Sequence, residues 1–459
     1  MNIPRVVIAG AKSGVGKTTI SIGLMTTLKE AGLRVQAFKI GPDYIDPSHH
    51  RAATGRPSEN LDSWMVPKDQ IIELFTRAAT GADLAVIEGV MGLYDGISGL
   101  DETGSTAQIA EILHCPVILV IDAHDVARTA AAIVLGYKKF DENVNIAGVI
   151  LNRATGETHA TWCKEAIEST TNIPVVGWLP VNREIELPER HLGLIPTPEK
   201  KTFNAVYPKI RNFFQTRINL NKIVAIAKSA GETPRVRHPI YPSRKSLKSV
   251  VIGLAFDEAF NFYYQSNIDL LEAYGAEVKG FSPIHDKELP ADIGGLYIGG
   301  GFPEMLPKEL EANKHLRGVI KKAAEEGMPI YAECAGLMYL TDSITDFNGN
   351  SYDMAGVLNG KTLMTKKTLV TYSLAEATRD TLLCRAGSQL RGHEFHNSII
   401  TDIPSDAEFA YSMKMGEGTK DKKDGWMQYN VLASYMHIHF AQNPKIVKSF
   451  IANCKKHKF

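Results

Sequence analysis

Ala11-Lys12-Ser13-Gly14-Val15-Gly16-Lys17-Thr18, directly after the apolar run Val6-Val7-Ile8-Ala9-Gly10, decides how the first half of this chain is read. A buried strand, a glycine loop and a Gly-Lys-Thr-Thr helix start together form a phosphate cradle. Backbone N–H groups of Gly14, Val15 and Gly16, with Thr19 in the first helical turn, surround phosphate oxygens; Lys17 reaches the outer phosphates and Thr18 ligates magnesium. The first loop position is Ala11 rather than glycine, and Lys12 is either a further phosphate contact or a solvated lysine.

Outward from this loop, Val35–Ile40, Leu84–Glu88, Val117–Asp122, Ile146–Asn152 and Val175–Leu179 repeat the pattern of a buried strand ending in polar residues. Candidate helices lie between them, at Lys68–Thr80, Thr106–Leu113, Ala127–Lys138 and His159–Ser169. This alternation predicts a mostly parallel sheet covered on both faces, with ligands outside the carboxyl ends of its strands. Carboxylates gather at those ends: Asp43 and Asp46 after the second strand, Glu88 closing another, and Asp95 in the glycine-rich stretch beyond it. Each is a turn residue or a holder of Mg²⁺ and its waters. Asn152 and Arg153, at a further strand end, are candidates for reading a base edge.

Residues 229–248 mix Gly231, Pro234, Pro239 and Pro242 with Arg235, Arg237, Arg244 and Lys245, and read as a linker. The expected division is therefore a nucleotide-handling domain over 1–228, the linker, and a second α/β domain over 249–459. In the latter the alternation restarts with Val250–Ala255, a helix over Phe260–Tyr274, Ala276–Phe281, Gly295–Ile298, a helix over Lys308–Glu326, and Met328–Ala332. A length of 459 residues fits two domains of roughly 200 residues each.

In the second domain, Ala332-Glu333-Cys334-Ala335-Gly336 reads as a strand, a sharp turn and a helix start. Such an elbow exposes the side chain at its tip, and a helix amino terminus favours the thiolate. Cys334 is thus a candidate nucleophile, against the plain alternative of a small buried residue. A base for it is available in Tyr435-Met436-His437-Ile438-His439-Phe440, where two histidines share one face of a short strand. His393 and His396 flank Glu394, and this set of four histidines and one glutamate has no zinc-ligand spacing. The run Gly299-Gly300-Gly301 can supply oxyanion donors through its amides.

Acidic and basic residues balance at 51 each, so no global field attracts nucleic acid or a membrane surface. The five cysteines, Cys115, Cys163, Cys334, Cys384 and Cys454, show no CxxC pairing, which suits a reducing compartment. The chain opens without a signal-like segment, and no apolar run approaches the roughly 18 residues of a membrane span. A cytoplasmic location is expected.

Taken together, these motifs closely resemble the cobyrinate a,c-diamide synthases and the related Ni-sirohydrochlorin a,c-diamide synthases over essentially the whole length. The resemblance rests on Lys39-Ile40-Gly41-Pro42-Asp43-Tyr44-Ile45-Asp46-Pro47, Asn60-Leu61-Asp62, Glu189-Arg190-His191-Leu192-Gly193-Leu194, Asp257-Glu258-Ala259-Phe260-Asn261-Phe262-Tyr263-Tyr264, the Glu333-Cys334 elbow, Arg391-Gly392-His393-Glu394-Phe395-His396 and His437-Ile438-His439-Phe440.

It implies an amino-terminal synthetase domain like dethiobiotin synthetase and a carboxy-terminal class I glutamine amidotransferase domain. It further implies that ATP and L-glutamine are co-substrates, with Mg²⁺ held by Thr18, Asp46 and Glu88. Cys334 and His437 become the glutaminase pair, and Gly300 and Ala335 the oxyanion donors. The acid to be amidated is a tetrapyrrole, whose carboxylates face some of Lys39, Arg51, Arg56, Arg190 and His191; an enclosed passage carries the ammonia. The resemblance does not separate cobalt corrinoid from nickel sirohydrochlorin and leaves a homodimer open. Lys12 and Ala335 stand where the family pattern has serine or threonine and glycine, and His439 where ordinary class I members have glutamate. A P-loop switch ATPase and a glutaminase without synthetase activity are the remaining alternatives, and both leave one of the two motifs idle.

Overall fold

The computed structural model describes residues 2–185, 189–190, 193–194 and 203–457, and the chain divides into two compact units, Met1–Pro239 and Ile240–Phe459. In the first, β1 (Arg5–Gly10) leads through the glycine loop into α1 (Lys17–Glu30). There follow β2 (Val35–Ile40), α2 (Ile45–Thr54), β3 (Glu59–Leu61), α3 (Lys68–Ala78), β4 (Leu84–Glu88), α4 (Thr106–Ile112) and β5 (Val117–Asp122). Next come α5 (Thr129–Phe140), β6 (Ile146–Asn152), α6 (Glu157–Thr171) and β7 (Val175–Leu179). A short antiparallel pair, β8 (Glu189–Arg190) and β9 (Gly193–Leu194), precedes α7 (Phe203–Gln215) and α8 (Leu220–Lys228).

Among the described residues the main sheet of this unit has seven strands in the order β3-β2-β4-β1-β5-β6-β7. All neighbours are parallel, so every carboxyl end opens on one edge. β1, β2 and β4 are buried along their whole length, which is why they read as continuous apolar runs rather than alternating ones. On one face, Ile20, Leu24 and Leu28 of α1 pack with Tyr207, Ile210 and Phe214 of α7.

Two elements of this unit escape a reading by periodicity. β3 is only three residues long, and α2 begins inside the segment that reads as a turn. α2 forms because Asp43 Oδ1 accepts from the amides of Ile45 (2.7 Å) and Asp46 (3.1 Å), while Pro47 falls in the first turn, where its missing N–H costs nothing. The start of the expected linker is fastened rather than free: the buried Arg5 guanidinium donates to the carbonyls of Gly231 and Glu232.

In the second unit, β10 (Val250–Ala255), β11 (Phe260–Phe262), α9 (Gln265–Ala273), β12 (Ala276–Phe281), β13 (Ile293–Ile298) and β14 (Gly300–Gly301) come first. Then follow α10 (Pro307–Ala312), α11 (Lys314–Glu325), β15 (Ile330–Glu333), α12 (Ala335–Leu340), β16 (Thr341–Thr345), β17 (Ser351–Asp353) and β18 (Leu358–Ala377). The unit closes with β19 (Gln389–Thr401), β20 (Glu408–Met415), β21 (Lys423–Gln428), β22 (Val431–Ser434), β23 (His437–Ile438) and α13 (Pro444–Lys456). The strands β12-β10-β13-β15-β22 run parallel, and the sheet then continues antiparallel through β21, β20 and β18.

Two expected helices need correction. Phe260–Tyr274 is not one helix: Phe260, Asn261 and Phe262 form β11 against the glycine run of β14, and the helix begins only at Gln265. Lys308–Glu326 breaks at Asn313, whose side-chain amide donates to the carbonyls of Pro283 and Asp286 and so pulls the chain out of the helical path. Among the described residues, no helix is long and apolar enough to cross a membrane.

Candidate active sites in the two units

Gly14 (φ 70°) and Gly16 (φ 95°) hold the loop after β1 in the left-handed region that glycine adopts without penalty. At Gly16 a Cβ would also lie 2.4 Å from the side-chain nitrogen of Asn152. Gly16 caps α1 with no side-chain acceptor, so the first-turn amides keep their donors for an anion. Asn152 donates to the carbonyl of Val15 (2.8 Å), and Arg153 to that of Gly14 (2.9 Å) while pairing with Asp122. The structure therefore gives Asn152 and Arg153 a bracing role on the loop that the sequence reading did not foresee. Lys12 extends into solvent with its ammonium 3.5 Å from Asp122, and Thr19 is half-buried in the first turn of α1.

Behind the loop, charged side chains converge. Thr18 Oγ1 donates to Glu88 Oε1 (2.6 Å) and lies 3.3 Å from Asp46 Oδ2. Lys39 Nζ donates to Asp46 Oδ2 (2.6 Å), Glu88 Oε1 (3.0 Å) and the carbonyl of Gly89 (3.3 Å), with Asp43 Oδ2 at 3.8 Å. His50 Nε2 is 2.6 Å from Glu88 Oε2. Burial works against each of these charges. Lys39 and His50 outweigh it at Glu88 and hold that carboxyl below its usual range, and Asp46 with Glu88 outweighs it at Lys39 and keeps the ammonium charged. At Asp43 burial and then Asp46 prevail, pushing the carboxyl up to about 7. Lys17 donates to the carbonyl of Met91 (2.5 Å); burial and then Lys39 bring its ammonium down to about 8.

A hydroxyl and two carboxylates from Thr18, Asp46 and Glu88 are the oxygen donors a hard divalent cation takes, and these residues fit magnesium. Asp95 closes its own turn by accepting from the amide of Gly92 (2.8 Å), and its charge acts on Lys17. Of the residues expected to face the substrate, Lys39 is buried among protein carboxylates and Arg56 is tied to Gln36 and to the carbonyls of Ala78 and Thr80. His191 and the side chain of Arg190 lie outside the described residues. His50 is the member of this cluster that sequence reasoning missed. Its signal is spacing: it lies one helical turn beyond Asp46 on α2, so the two share a face.

In the other unit, Cys334 stands at the tip of a strained elbow between β15 and α12, with φ 49° and ψ −99°. Gly336 lets α12 come down on β13, since a Cβ there would meet the carbonyl oxygen of Ile298 at 2.2 Å. The thiol is buried, and its Sγ lies 3.6 Å from the carbonyl oxygen of Phe395 on β19. The expected thiolate is corrected here. Burial and then Glu304 push the Cys334 thiol well up, and the Ala335 amide at the start of a six-residue helix opposes them without prevailing.

His437 enters from β23, which pairs with β19 through His393↔His437 and Gly392↔Ile438. Its ring stacks on His393 (4.8 Å between centroids, 17°) and faces Gly300, where a Cβ would lie 2.5 Å from His437 Cε1. The turn before it is pinned by buried Asp424, which accepts from Ser434 Oγ (2.6 Å) and from the amides of Tyr435 and Met436. Glu333 Oε2 is 3.8 Å from His437 Nδ1. His439 lies beyond the strand: Nε2 is 3.2 Å from Ser266 Oγ, and Nδ1 accepts from the amide of Ala441. Burial brings its imidazole down to about 3. Gly300 and Ala335 therefore flank His437 and Cys334 respectively.

The phosphate loop lies in one unit, and the Cys334 elbow and the buried His437 lie in the other. Residues 6–195 match the CobQ/CobB/MinD/ParA nucleotide binding domain, and residues 251–445 the CobB/CobQ-like glutamine amidotransferase domain. A protein of Dehalococcoides mccartyi (strain CBDB1) named cobyrinate a,c-diamide synthase is 46% identical over 98% of each chain. One of the same name from Methanosarcina acetivorans is 45% identical over 95% of this chain and 93% of its own. This chain belongs to the cobyrinate a,c-diamide synthase family. It is accordingly a glutamine-hydrolysing, ATP-dependent amide ligase of α/β architecture. Among solved structures, a glutamine amidotransferase from Thermotoga maritima matches 45% of this chain and 85% of its own at 12% identity, with a TM-score of 0.31.

Proposed function

We propose that this enzyme converts the a and c acetate side chains of cobyrinate to amides, drawing nitrogen from glutamine and activating each acid with ATP. The observation that carries this reading is the 46% identity over 98% of both chains to a relative named for that reaction. In the glutaminase half, the Cys334 thiol passes its proton to His437 and attacks the amide carbon of glutamine. Amides near Gly300 and Ala335 stabilise the oxyanion, an effect of about 3 kcal/mol per donor. His437 returns the proton to the departing ammonia, and water cleaves the glutamyl thioester to glutamate.

In the synthetase half, hydroxide is a poor leaving group, so the substrate carboxylate first takes the γ-phosphoryl of ATP to form an acyl phosphate and ADP. Ammonia then displaces phosphate. The loop amides and Lys17 hold the phosphates in line, and Thr18, Asp46 and Glu88 are the residues that would hold magnesium. Bound there, it would neutralise charge on the phosphate oxygens. Ammonium cannot attack, so ammonia has to be kept from bulk water on its way to the acyl phosphate.

The test supplies cobyrinate and nickel sirohydrochlorin in parallel, each with ATP, glutamine and Mg²⁺, and follows the products by mass spectrometry. Cobyrinate is expected to gain two amides with one ADP formed per amide. Turnover of the nickel compound alone, or amide formed without ADP, overturns the reading.

A further inference from the structure

An imidazole that accepts a proton in a dry site becomes a buried cation, and such a cation needs an anion in reach and a partner for its second nitrogen. His437 is fully buried. Of the titratable groups around it, His393 stacks on the ring but is held neutral by burial and by the neighbouring His437 and His439. His439 is neutral as well and is engaged by Ser266 and Ala441. Asp424 turns its carboxylate to Ser434, Thr419 and the amides of Tyr435 and Met436, and Glu394 to the amides of Glu417 and Gly418. Cys334 is the proton's source. Buried Glu304 bears on the Cys334 thiol, and Glu333 turns its Oε2 to His437 Nδ1 at 3.8 Å.

The carboxylate of Glu333 is buried and closely held. Oε1 accepts from Tyr331 Oη (2.5 Å) and from the amide of Ile438 (3.0 Å), and Oε2 from Tyr297 Oη (2.9 Å). These three donors are neutral, so they aim the carboxylate without offsetting its charge. The Ile438 amide belongs to the residue after His437, and one side chain therefore holds both the backbone and the ring side of the base. The β15–β22 ladder sets Glu333 opposite Ser434, just before the turn that delivers His437.

We propose that Glu333 is the positioning residue of the glutaminase site: it orients the His437 imidazole through Nδ1 and offsets the imidazolium formed when Nε2 takes the Cys334 proton. The dipeptide Glu333-Cys334 thus supplies both the nucleophile and the counter-charge of its base. The proposal rests on the reading of Cys334 and His437 as the reacting pair.

The experiment compares Glu333→Gln, Glu333→Asp and Cys334→Ser in the full chain, measuring glutamine hydrolysis and, separately, amidation driven by ammonium salts. Glu333→Gln is expected to lower glutaminase kcat by about 10²–10³-fold with KM within about threefold, leaving ammonia-driven amidation intact. Glu333→Asp recovers part of kcat. Unchanged kcat in Glu333→Gln, a loss carried by KM rather than kcat, or a parallel loss of ammonia-driven amidation, overturns the proposal. Full glutaminase activity in Cys334→Ser instead overturns the underlying pair.

Discussion

Gly300 and His437 are in contact so close that a single methyl group cannot be placed between them: a Cβ on Gly300 would lie 2.5 Å from His437 Cε1. The glycine run after β13 is therefore a seat for the imidazole. Gly300→Ala is expected to displace the ring and lower glutamine-driven turnover by about 10²-fold, with ammonia-driven amidation retained. Steady-state assays with the two nitrogen sources check this.

Separate sites for nitrogen release and acid activation predict separable losses. Cys334→Ala should abolish glutamine-driven amidation, by about 10³-fold or more, and keep the reaction with added ammonium. Lys17→Ala should lose both, because no acid is activated. Equal loss of ammonia-driven activity in two folded variants would contradict this division.

Glu88 joins Thr18, Lys39 and His50 in one buried network. Removing it takes one of the carboxylates from the buried Lys39 ammonium, leaving Asp46 and the more distant Asp43, and takes from His50 Nε2 the carboxylate it meets. Glu88→Ala is expected to cost about 3–5 kcal/mol of stability, read from the denaturant midpoint of the amino-terminal unit. A change within a few tenths of a kcal/mol would show that the network is not stabilising.

Acid sensitivity follows from His439, buried with its pKa lowered from 6.5 to about 3. The unfolded chain binds this proton first, so the contribution is fully present above pH 6.5 and is lost as pH falls toward 3. Across that window the stability of the wild-type protein should fall by about 1.4 kcal/mol per pH unit from this group, and His439→Gln should reduce the slope. Thermal melts of both proteins at pH 7, 6, 5 and 4 provide the measurement.

Much of the fold was legible because its signals are local. Gly14 and Gly16 announce their positive φ, the apolar runs of β1, β2 and β4 announce burial, and the small residues around Cys334 announce an elbow. Helix Phe260–Tyr274 was misread because the three residues of β11 are too short a stretch to show a period of their own beside the helix that follows, and their pairing with the glycines of β14 is a contact that only the folded chain makes. The thiol was misjudged for a similar reason. A helix terminus is visible in sequence, but the burial that overrides it is not.

By itself, the sequence determined that this protein has a phosphate loop, a cysteine elbow, two α/β units and membership of its family, since each is written in a contiguous stretch of chain. Tertiary structure alone decided which charges meet. Lys39 reaches Glu88 across 49 positions because β2 and β4 are neighbours, and Glu333 reaches Ile438 across 105 because β15 lies beside β22. Strand order is a property of the assembled sheet, set by burial and packing over the whole unit, and no local pattern around Glu333 or His437 encodes that they will share a site.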